Sequence, residues 1–542
     1  MLNPLAAYGR NYGRSMVISR RGIAATSHPF ASQAGAQVLA RGGSAVDAAI
    51  AANAVLGVVE PMSCGIGGDL FVLYWEAKSG RLWGLNGSGP APGALSPAFL
   101  TARGFATMPI GGIHSVTVPG AVDGWSKMHS RFGRLPWADL FSAAITHAGE
   151  GYPVTESITE HWNSPLSVAR LTATPEASRV FLAGGRAPHE GEVVCNPDLA
   201  RAYGSIAREG RDGFYQGEVA RAILRTSGSF GGTMTLDDLA AFSAEFVEPI
   251  HTDYRDWRVW ELPPNGQGMA ALMMLNIMET QPACAAGPFA AAEWHKRIEA
   301  MKLAYADLHC YNADPRLSRV PVAELLSREY GRVRAALINP CAANGSVGHG
   351  EPLGSDTVYL TVVDREGNIA SWIQSIYQNF GSGITVEGMG FILQNRGGGF
   401  TLDASHPNVL AGGKRPFHTI IPGFMERDGL RMGFGIMGGP NQPLAHAQFV
   451  SNFVDYGMNL QQAMESPRFT KTTASGFDLS IESRLPGTTL QELSALGHEI
   501  AIRKPYTQEM GRGQAILHDS ATGVNFAASD PRSDGGAIPE PV

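Results

Sequence analysis

The spacing of apolar residues divides the chain into helix-rich and strand-rich segments. Near the N-terminus, apolar positions recur at helical spacing up to a glycine pair at 42–43, and Ser44 then stands as the N-cap of a second, alanine-rich helix. Residues 61–92 alternate around a Lys-Ser-Gly turn, which predicts a pair of strands. Residues 135–310 are predicted to be mainly helical.

A linker-like stretch comes before a strand-rich remainder. Residues 340–356, PCAANGSVGHGEPLGSD, are rich in glycine, proline and serine and have no periodicity. They are followed at once by TVYLTVVD, a turn at REGN, and IASWIQSIY, which predict a β-hairpin that begins at Thr357. Further strands are predicted in TIIPGFMERDGLRMGFGIM, before a helical segment at residues 443–466.

Composition limits the classes of function. The 542 residues are 44% hydrophobic and 17% charged, with a formal net charge of −7. Because no basic run is interleaved with aromatic residues, nucleic acid is not expected as a partner. The five cysteines are scattered without a Cys-x-x-Cys pair, and no metal-ligand spacing is found, so neither disulfides, a metal nor another cofactor is expected. The apolar runs are too short for a membrane helix and the N-terminus lacks a secretory core, which predicts a soluble cytoplasmic protein without a membrane partner.

Thr357 can be interpreted in two ways. It is either an ordinary strand threonine, the commoner case for such spacing, or a nucleophile. A threonine hydroxyl attacks a carbonyl only when a base takes its proton. An α-amine has a pKa of about 7.7–8.0, so a threonine at a new N-terminus would carry its own base. This function would require cleavage between Asp356 and Thr357.

A glycine pair offers a second catalytic element. Gly438 and Gly439 follow a predicted strand in GFGIMGGP, where they could form a simple turn or bring backbone N–H groups close to an oxyanion. Residues 433–438 also match the G-x-G-x-x-G pattern of dinucleotide sites. That interpretation is disfavoured, because Pro440 and Pro443 follow in place of a regular helix start.

Ordered segments along almost the whole chain resemble the γ-glutamyltransferase (glutathione hydrolase) family of N-terminal-nucleophile hydrolases. Early in the chain the resemblance lies in HPFASQAGAQVLARGGSAVDAAIAANAVLGVVEPMSCGIGGDLF. In the middle it lies in SVTVPGAVDGW, LPPNGQGMAALMMLNIME and EAMKLAYADLHCYNADPR. Late in the chain it lies in DTVYLTVVDREGNIAS, NFGSGI, MGGP and VDYGMNLQQAMESPRF. The resemblance favours Thr357 as the nucleophile.

The resemblance implies an α+β fold, a four-layer αββα sandwich built from both segments of one self-cleaved chain. Residues 1–356 would form a mostly helical large subunit that contributes strands, and residues 357–542 a β-rich small subunit. The Thr357 hydroxyl would attack the Asp356 carbonyl, and cleavage would free the Thr357 amine as base. The hydroxyl would then form an acyl-enzyme that water or an amine acceptor releases. The subunits would stay tightly associated, and a further homodimer is left open.

The family pattern also implies roles for single residues. It places the oxyanion hole at Gly438 and Gly439. It places a hydroxyl near the nucleophile's amine at Ser375, where typical members carry threonine.

The motifs that hold the glutamyl α-carboxylate and α-amine in typical members are altered here. In GSGPAP, Ser88 stands where the family's arginine would be, and in NRGGGF, Gly399 stands where its aspartate would be. Lys414-Arg415 align with a pair of serines that binds the carboxylate, and Tyr377 aligns with an asparagine near the amine. The combined grip on a carboxylate and an ammonium is therefore lost.

A more basic pocket takes its place. Such a pocket favours an acyl group that carries a carboxylate and no ammonium. The predicted substrate-binding residues are Ser88, Tyr377, Arg396, Lys414, Arg415 and His418. Lys414 or Arg415 could instead be surface or subunit-contact charges, and His418 could be a hydrogen-bonded core histidine.

These features predict an autoprocessing enzyme that hydrolyses small carboxylate-bearing amides or transfers their acyl group. They resemble a divergent bacterial branch of the family that includes glutathione hydrolase-like proenzymes and oxamate amidohydrolase. The alternatives are a true γ-glutamyltransferase, an oxamate amidohydrolase and a glutaryl or cephalosporin acylase. A non-catalytic relative that never cleaves is disfavoured, because Thr357, Ser375 and the glycine pair are retained.

Overall fold

Most of the strands form two large antiparallel sheets of seven strands each, which face each other. The computed structural model describes residues 12–347 and 356–542. Within these ranges the strands are β1 (Val17–Ser19), β2 (Ile23–Thr26), β3 (Asp69–Glu76), β4 (Arg81–Gly87), β5 (Tyr152–Pro153), β6 (Val193–Val194), β7 (Glu245–Val247), β8 (Ile250–Tyr254), β9 (Trp257–Glu261), β10 (Asp356–Val363), β11 (Ile369–Tyr377), β12 (Gly423–Arg427), β13 (Leu430–Met437), β14 (Phe469–Thr470), β15 (Asp478–Glu482), β16 (Glu499–Arg503), β17 (Arg512–Asp519), β18 (Val524–Ser529) and β19 (Gly536–Pro539).

Helices cover the outer faces of both sheets. In the described ranges they are α1 (Pro29–Ala40), α2 (Ala45–Val59), α3 (Pro97–Thr101), α4 (Ala121–Phe132), α5 (Ser142–Glu150), α6 (Glu156–Trp162), α7 (Pro165–Thr172), α8 (Pro175–Phe181), α9 (Pro197–Glu209), α10 (Arg211–Tyr215), α11 (Glu218–Ser229), α12 (Leu236–Ala240), α13 (Gly268–Glu279), α14 (Ala291–Tyr311), α15 (Val322–Leu325), α16 (Arg328–Ala335), α17 (Gln442–Val454), α18 (Leu460–Glu465) and α19 (Gly487–Ala495). None of these helices is long and apolar enough to cross a bilayer.

The layer order is helix, sheet, sheet, helix. The first sheet has the strand order β19-β2-β10-β11-β3-β4-β7 and shares a core with α1, α2 and α4. The second has the order β1-β18-β17-β13-β12-β9-β8 and shares a core with α13, α14 and α17. This architecture confirms the expected αββα sandwich.

A helix cap and a β-hairpin, both determined by neighbouring residues, agree with the sequence predictions. Ser44 caps α2 in a capping box, where its hydroxyl accepts from Asp47 N (3.2 Å) and the Asp47 carboxylate accepts from Ser44 N (2.9 Å). The predicted hairpin is β10–β11, and Asp364 closes its turn by accepting from Asn368 N at 2.9 Å. The preceding linker lies partly outside the described residues, since residues 348–355 are not described.

The segment predicted as mainly helical also contains strands. β7, β8 and β9 lie within residues 245–261 and complete the edges of the two sheets. Their short alternating pattern, such as WRVWE in β9, has buried and exposed positions in turn. Long neighbouring helices obscured this period-two signal in the sequence.

The G-x-G-x-x-G match lies in β13, not in a dinucleotide-binding turn. β13 pairs antiparallel with both β12 and β17, whereas a dinucleotide site needs a parallel βαβ unit. A Cβ on Gly433 would lie 2.7 Å from Thr361 Oγ1, and one on Gly435 would collide with the Tyr359 ring. These glycines therefore let the two sheets pack closely.

Candidate active site

Thr357 lies at the start of β10 and is fully buried. The β10–β11 register shifts between Asp356 and Val358, so Thr357 is set apart from the regular ladder. Its hydroxyl donates to Ser375 Oγ at 3.2 Å. Ser375 is on the neighbouring strand β11, so two adjacent strands fix the geometry of this hydroxyl pair.

Ser375 Oγ is a junction that also binds a buried guanidinium. It accepts from Tyr377 N at 2.8 Å and from Arg396 Nη2 at 3.2 Å. Arg396 Nη1 donates to Thr419 Oγ1 at 2.7 Å, and the guanidinium carbon lies 4.3 Å from the centre of the Tyr377 ring. Burial lowers the pKa of Arg396 to about 10, so the side chain still carries its charge at neutral pH.

Asp69 supplies a buried negative charge that sequence reasoning missed. It is the first residue of β3 and pairs in register with Ser375, so both side chains lie on one face of the sheet. Asp69 Oδ1 accepts from the backbone N–H groups of Gly89 and Gly120 (both 3.1 Å) and from Gln394 Nε2 (2.8 Å). Burial raises the pKa of Asp69 to about 7, although these hydrogen bonds and Arg396 oppose the shift. The sequence feature that could have identified Asp69 is its position as a carboxylate at the start of an otherwise apolar strand, in GGDLF.

His418 is a neutral partner of this carboxylate. Its Nδ1 accepts from Ile420 N at 3.3 Å, so Nε2 carries the proton and donates to Asp69 Oδ2 at 3.0 Å. Burial and the neighbouring cations Arg396 and Arg415 lower the pKa of His418 well below its usual value. His418 is therefore neutral, which agrees with the alternative of a hydrogen-bonded core histidine, and a substrate-binding role for it stays a prediction.

Gly438 and Gly439 lie at the end of β13, across from the nucleophile's strand. Gly433 packs against Thr361 and Gly435 against Tyr359, and the same progression reaches Thr357 at Met437, the residue before the glycine pair. The φ angles of Gly438 and Gly439 are 144° and 58°, a region that favours glycine. Gln267 Nε2 donates to Gly439 O at 2.8 Å and to Thr419 O at 2.6 Å, which ties the glycine pair to the arginine's partner.

The remaining predicted residues have other partners in the structure. Lys414 Nζ donates to the carbonyl oxygens of Pro407 (2.6 Å) and Val409 (3.0 Å) in its own loop. Arg415 forms an ion pair with Glu245 at 3.0 Å and donates to Ser88 O at 2.9 Å. The Arg415–Glu245 pair joins the two segments, as the subunit-contact alternative expected, and a substrate-binding role for Lys414 and Arg415 stays a prediction.

Ser88 and Gly399 also show how the altered motifs pack. The buried Ser88 hydroxyl accepts from Asn265 Nδ2 at 3.0 Å. A Cβ on Gly399 would lie 2.7 Å from Phe417 O. A side chain at residue 399 would therefore require the neighbouring Phe417 backbone to shift.

Three buried side chains outside the site of Thr357 lie close enough together to suggest a metal site. The spacing of these residues in the sequence did not predict such a site. Ligand atoms of His295, Glu299 and His498 lie within 4.8 Å of one another. The Lys302 ammonium lies 2.7 Å from Glu299, and His295 Nδ1 is 2.9 Å from His498 Nε2. Burial, then Lys302, His295 and Lys471, lower the pKa of His498 to about 3. The burial and the nearby lysine ammonium groups that disfavour a proton on His498 also disfavour a divalent cation here.

The αββα sandwich has the architecture of the N-terminal-nucleophile hydrolases. A family model described as gamma-glutamyltranspeptidase matches residues 31–540, and the chain belongs to this family. It is therefore an enzyme of the hydrolase and acyltransferase type.

Named relatives cover nearly the whole chain. The glutathione hydrolase-like YwrD proenzyme of Bacillus subtilis (strain 168) is 35% identical over 527 residues, 96% of this chain and 99% of that protein. The oxamate amidohydrolase proenzyme of Klebsiella pneumoniae subsp. pneumoniae is 34% identical over 529 residues, 96% of this chain and 98% of that protein. The crystal structure of cephalosporin acylase from Bacillus halodurans has a TM-score of 0.92 and 40% identity, and covers 99% of each chain.

Proposed function

We propose that the chain is an autoprocessing amidohydrolase that acts on small amides whose acyl group carries a carboxylate. The observation that carries the proposal is that one hydroxyl, Ser375 Oγ, contacts both Thr357 and Arg396. Because Thr357 and Arg396 are both hydrogen-bonded to this hydroxyl, the nucleophile and the cation lie close together. This arrangement suits an acyl group whose carbonyl faces Thr357 and whose carboxylate faces Arg396.

Self-cleavage would supply the catalytic base. The Thr357 hydroxyl attacks the carbonyl carbon of Asp356, the peptide nitrogen leaves as the Thr357 amine, and an ester joins the two residues. Water then hydrolyses the ester, which gives a free carboxylate at Asp356 and restores the hydroxyl. The shifted register at this point of β10 and the proenzyme names of the relatives support this step.

Turnover would reuse the same atoms. The Thr357 amine takes the proton of the hydroxyl as its oxygen attacks the substrate amide carbon. Negative charge develops on the carbonyl oxygen, where the N–H groups of Gly438 and Gly439 would stabilise it. The amide nitrogen leaves with a proton from the Thr357 ammonium, and water releases the acyl group by the reverse sequence.

The geometry favours a short acyl group. Thr357 Oγ1 and Arg396 Nη2 each lie 3.2 Å from Ser375 Oγ, so they are no more than two hydrogen bonds apart. An attacked carbon lies about 3–3.5 Å from the nucleophile, and a carboxylate oxygen about 2.7–2.9 Å from a guanidinium nitrogen. A carboxylate on the amide carbonyl itself, or one carbon away, fits this span. The buried Arg396 Nε, without a partner among the described residues, offers a further donor.

The altered glutamyl grip supports the same substrate class. At Gly399 the close Phe417 carbonyl disfavours a side-chain carboxylate that could bind an α-amine. The Ser88 hydroxyl is engaged by Asn265, at the position expected for a carboxylate-binding arginine. We therefore expect weak γ-glutamyl transfer.

A second candidate is a cephalosporin-type acylase. The observation in its favour is the 40% identity and 0.92 TM-score to the Bacillus halodurans enzyme. Such an activity would need a longer acyl group to approach Thr357 than the short span to Arg396 favours.

Processing is tested on the purified protein. Intact mass and denaturing gels should show fragments 1–356 and 357–542, and Thr357→Ala should remain one chain. A full-length wild-type chain that hydrolyses amides would refute the mechanism.

The substrate class is tested on the processed enzyme with amides of increasing length: oxamate, malonamate, succinamate and glutaramate, together with a γ-glutamyl anilide and a cephalosporin acyl amide. The kcat/KM value should be highest for the first two and fall with each added carbon. Turnover of the γ-glutamyl anilide alone would refute the carboxylate proposal, and preference for the cephalosporin amide would favour the second candidate.

A further inference from the structure

The cation that we assign to substrate binding has a buried counterion. Asp69 and Arg396 both lie beside Ser375, the first by strand register and the second by hydrogen bond, and both are fully buried. A substrate carboxylate at Arg396 would bring a second negative charge into this interior. Two carboxylates next to one guanidinium are unfavourable where water cannot screen them.

We propose that Asp69 is the counterion of Arg396 in the free enzyme and takes up one proton when a substrate carboxylate binds to Arg396. The inference rests on the proposed function, because it needs a carboxylate at Arg396. Charge is balanced in both states, since Arg396 faces the Asp69 carboxylate before binding and the substrate carboxylate afterwards. The proton comes from solvent, and no covalent bond of the substrate changes.

The surroundings of Asp69 select it as the proton acceptor. Asp69 Oδ1 is occupied by three N–H donors, while Oδ2, 3.0 Å from His418 Nε2, retains a second lone pair for a proton. His418 is a poor acceptor, because Nε2 already carries a proton and Nδ1 accepts from Ile420 N.

Several charged and titratable groups surround Asp69. Arg396 and His418 lie next to it, Arg415 is close enough to His418 to lower the pKa of that histidine, and the charge of Asp69 helps to raise the pKa of Tyr215. Burial already brings the pKa of Asp69 to about 7 with Arg396 present, and a second carboxylate at Arg396 raises this pKa further, so that Asp69 keeps its proton at pH 8. Tyr215 stays neutral, because burial raises its pKa well above the usual value.

The test is isothermal titration calorimetry of oxalate binding to the processed enzyme at pH 8, in buffers of different ionisation enthalpy. The number of protons taken up per oxalate should be about one higher in the wild type than in Asp69→Asn. The Thr357 amine is common to both enzymes, so the difference reports Asp69. Above pH 8, oxalate affinity should weaken about tenfold more per pH unit in the wild type than in the variant.

A matched control is Glu261→Gln. Glu261 is another buried carboxylate paired with a histidine, His446, at 2.8 Å, and it lies on the second sheet. Proton uptake in this variant should equal that of the wild type.

A measurement on the wild type alone keeps the proposal open to refutation if Asp69→Asn does not fold. The difference infrared spectrum on oxalate binding should show a new band of a protonated carboxyl group that shifts in D₂O. Oxalate binding without this band, or with equal proton uptake in wild type and Asp69→Asn, would overturn the role of Asp69 and leave the substrate proposal standing. Failure of oxalate to bind the processed enzyme would overturn both.

Discussion

Replacing Arg396 by lysine tests whether the Arg396 guanidinium binds the substrate carboxylate. The guanidinium spans Ser375 and Thr419 and stacks on Tyr377. A lysine ammonium keeps the charge opposite Asp69, so the buried carboxylate is not left alone. It cannot reproduce the planar, two-sided contact of a guanidinium, so at least one hydrogen bond to the substrate would be lost.

The expected size follows from that lost bond. A hydrogen bond to a charged group contributes about 1.5–3 kcal/mol, and each 1.36 kcal/mol is roughly a tenfold change in rate. The kcat/KM value for oxamate should therefore fall by about 10- to 150-fold in Arg396→Lys. Its neutral isostere pyruvamide has no carboxylate, so its kcat/KM value should change by less than about threefold.

The assay is release of ammonia from both amides by the processed variant, with completeness of cleavage checked by intact mass. Arg427→Lys is the matched control, because Arg427 pairs with the exposed Asp256 at 2.6 Å. Equal losses for oxamate and pyruvamide would show that Arg396 acts only through the fold, and the reasoning on substrate binding would then fail.

Three further substitutions test the supporting geometry. Ser375→Ala removes the hydroxyl that joins nucleophile and guanidinium, so the rate of precursor cleavage and kcat should fall about 10- to 100-fold; full rates in the variant would contradict that role, and Ser375→Thr should restore most of both. Gly438→Ala strains a backbone with φ of 144° and puts a Cβ 3.1 Å from Gly511 Cα. The kcat value should therefore fall about 10²-fold or more with little change in KM, and an unchanged kcat would show that the oxyanion hole does not lie at Gly438. Arg468→Met removes the 2.8 Å partner of the buried Asp530, which keeps Arg532 at 3.0 Å. The free energy of unfolding in urea should therefore fall by about 1–3 kcal/mol, whereas an unchanged value would show that Arg532 compensates in full.

The hairpin and the helix caps were predictable because their signals are local. Ser44 and Asp47 are three residues apart, and the turn that Asp364 closes is short, so neighbouring residues determine each structure. The same holds for the break at Thr357, where a segment without periodicity meets a strand. Family resemblance, and not periodicity, connected that break to chemistry.

The charges around the nucleophile were only partly predictable, because long-range pairing determines them. Asp69 and His418 are 349 positions apart, and only the folded sheet brings them within 3.0 Å. The sequence left open whether Lys414 and Arg415 bind substrate or form contacts within the protein, and in the structure they bind loop carbonyls and Glu245. A sequence identifies which residues carry charge, but tertiary packing decides which charges meet the substrate.

The sheet explains how the site could survive the proposed cut before Thr357. The row of residues proposed for catalysis crosses β10, β11 and β3, and it takes Thr357 and Ser375 from the second segment and Asp69 from the first. Strands of the two segments also pair as β1 with β18, β2 with β10 and β19, and β9 with β12. Cleavage breaks one peptide bond, whereas these ladders stay intact on both sides of it. The new amine would therefore form inside a framework that already holds its hydroxyl, guanidinium and counterion in place.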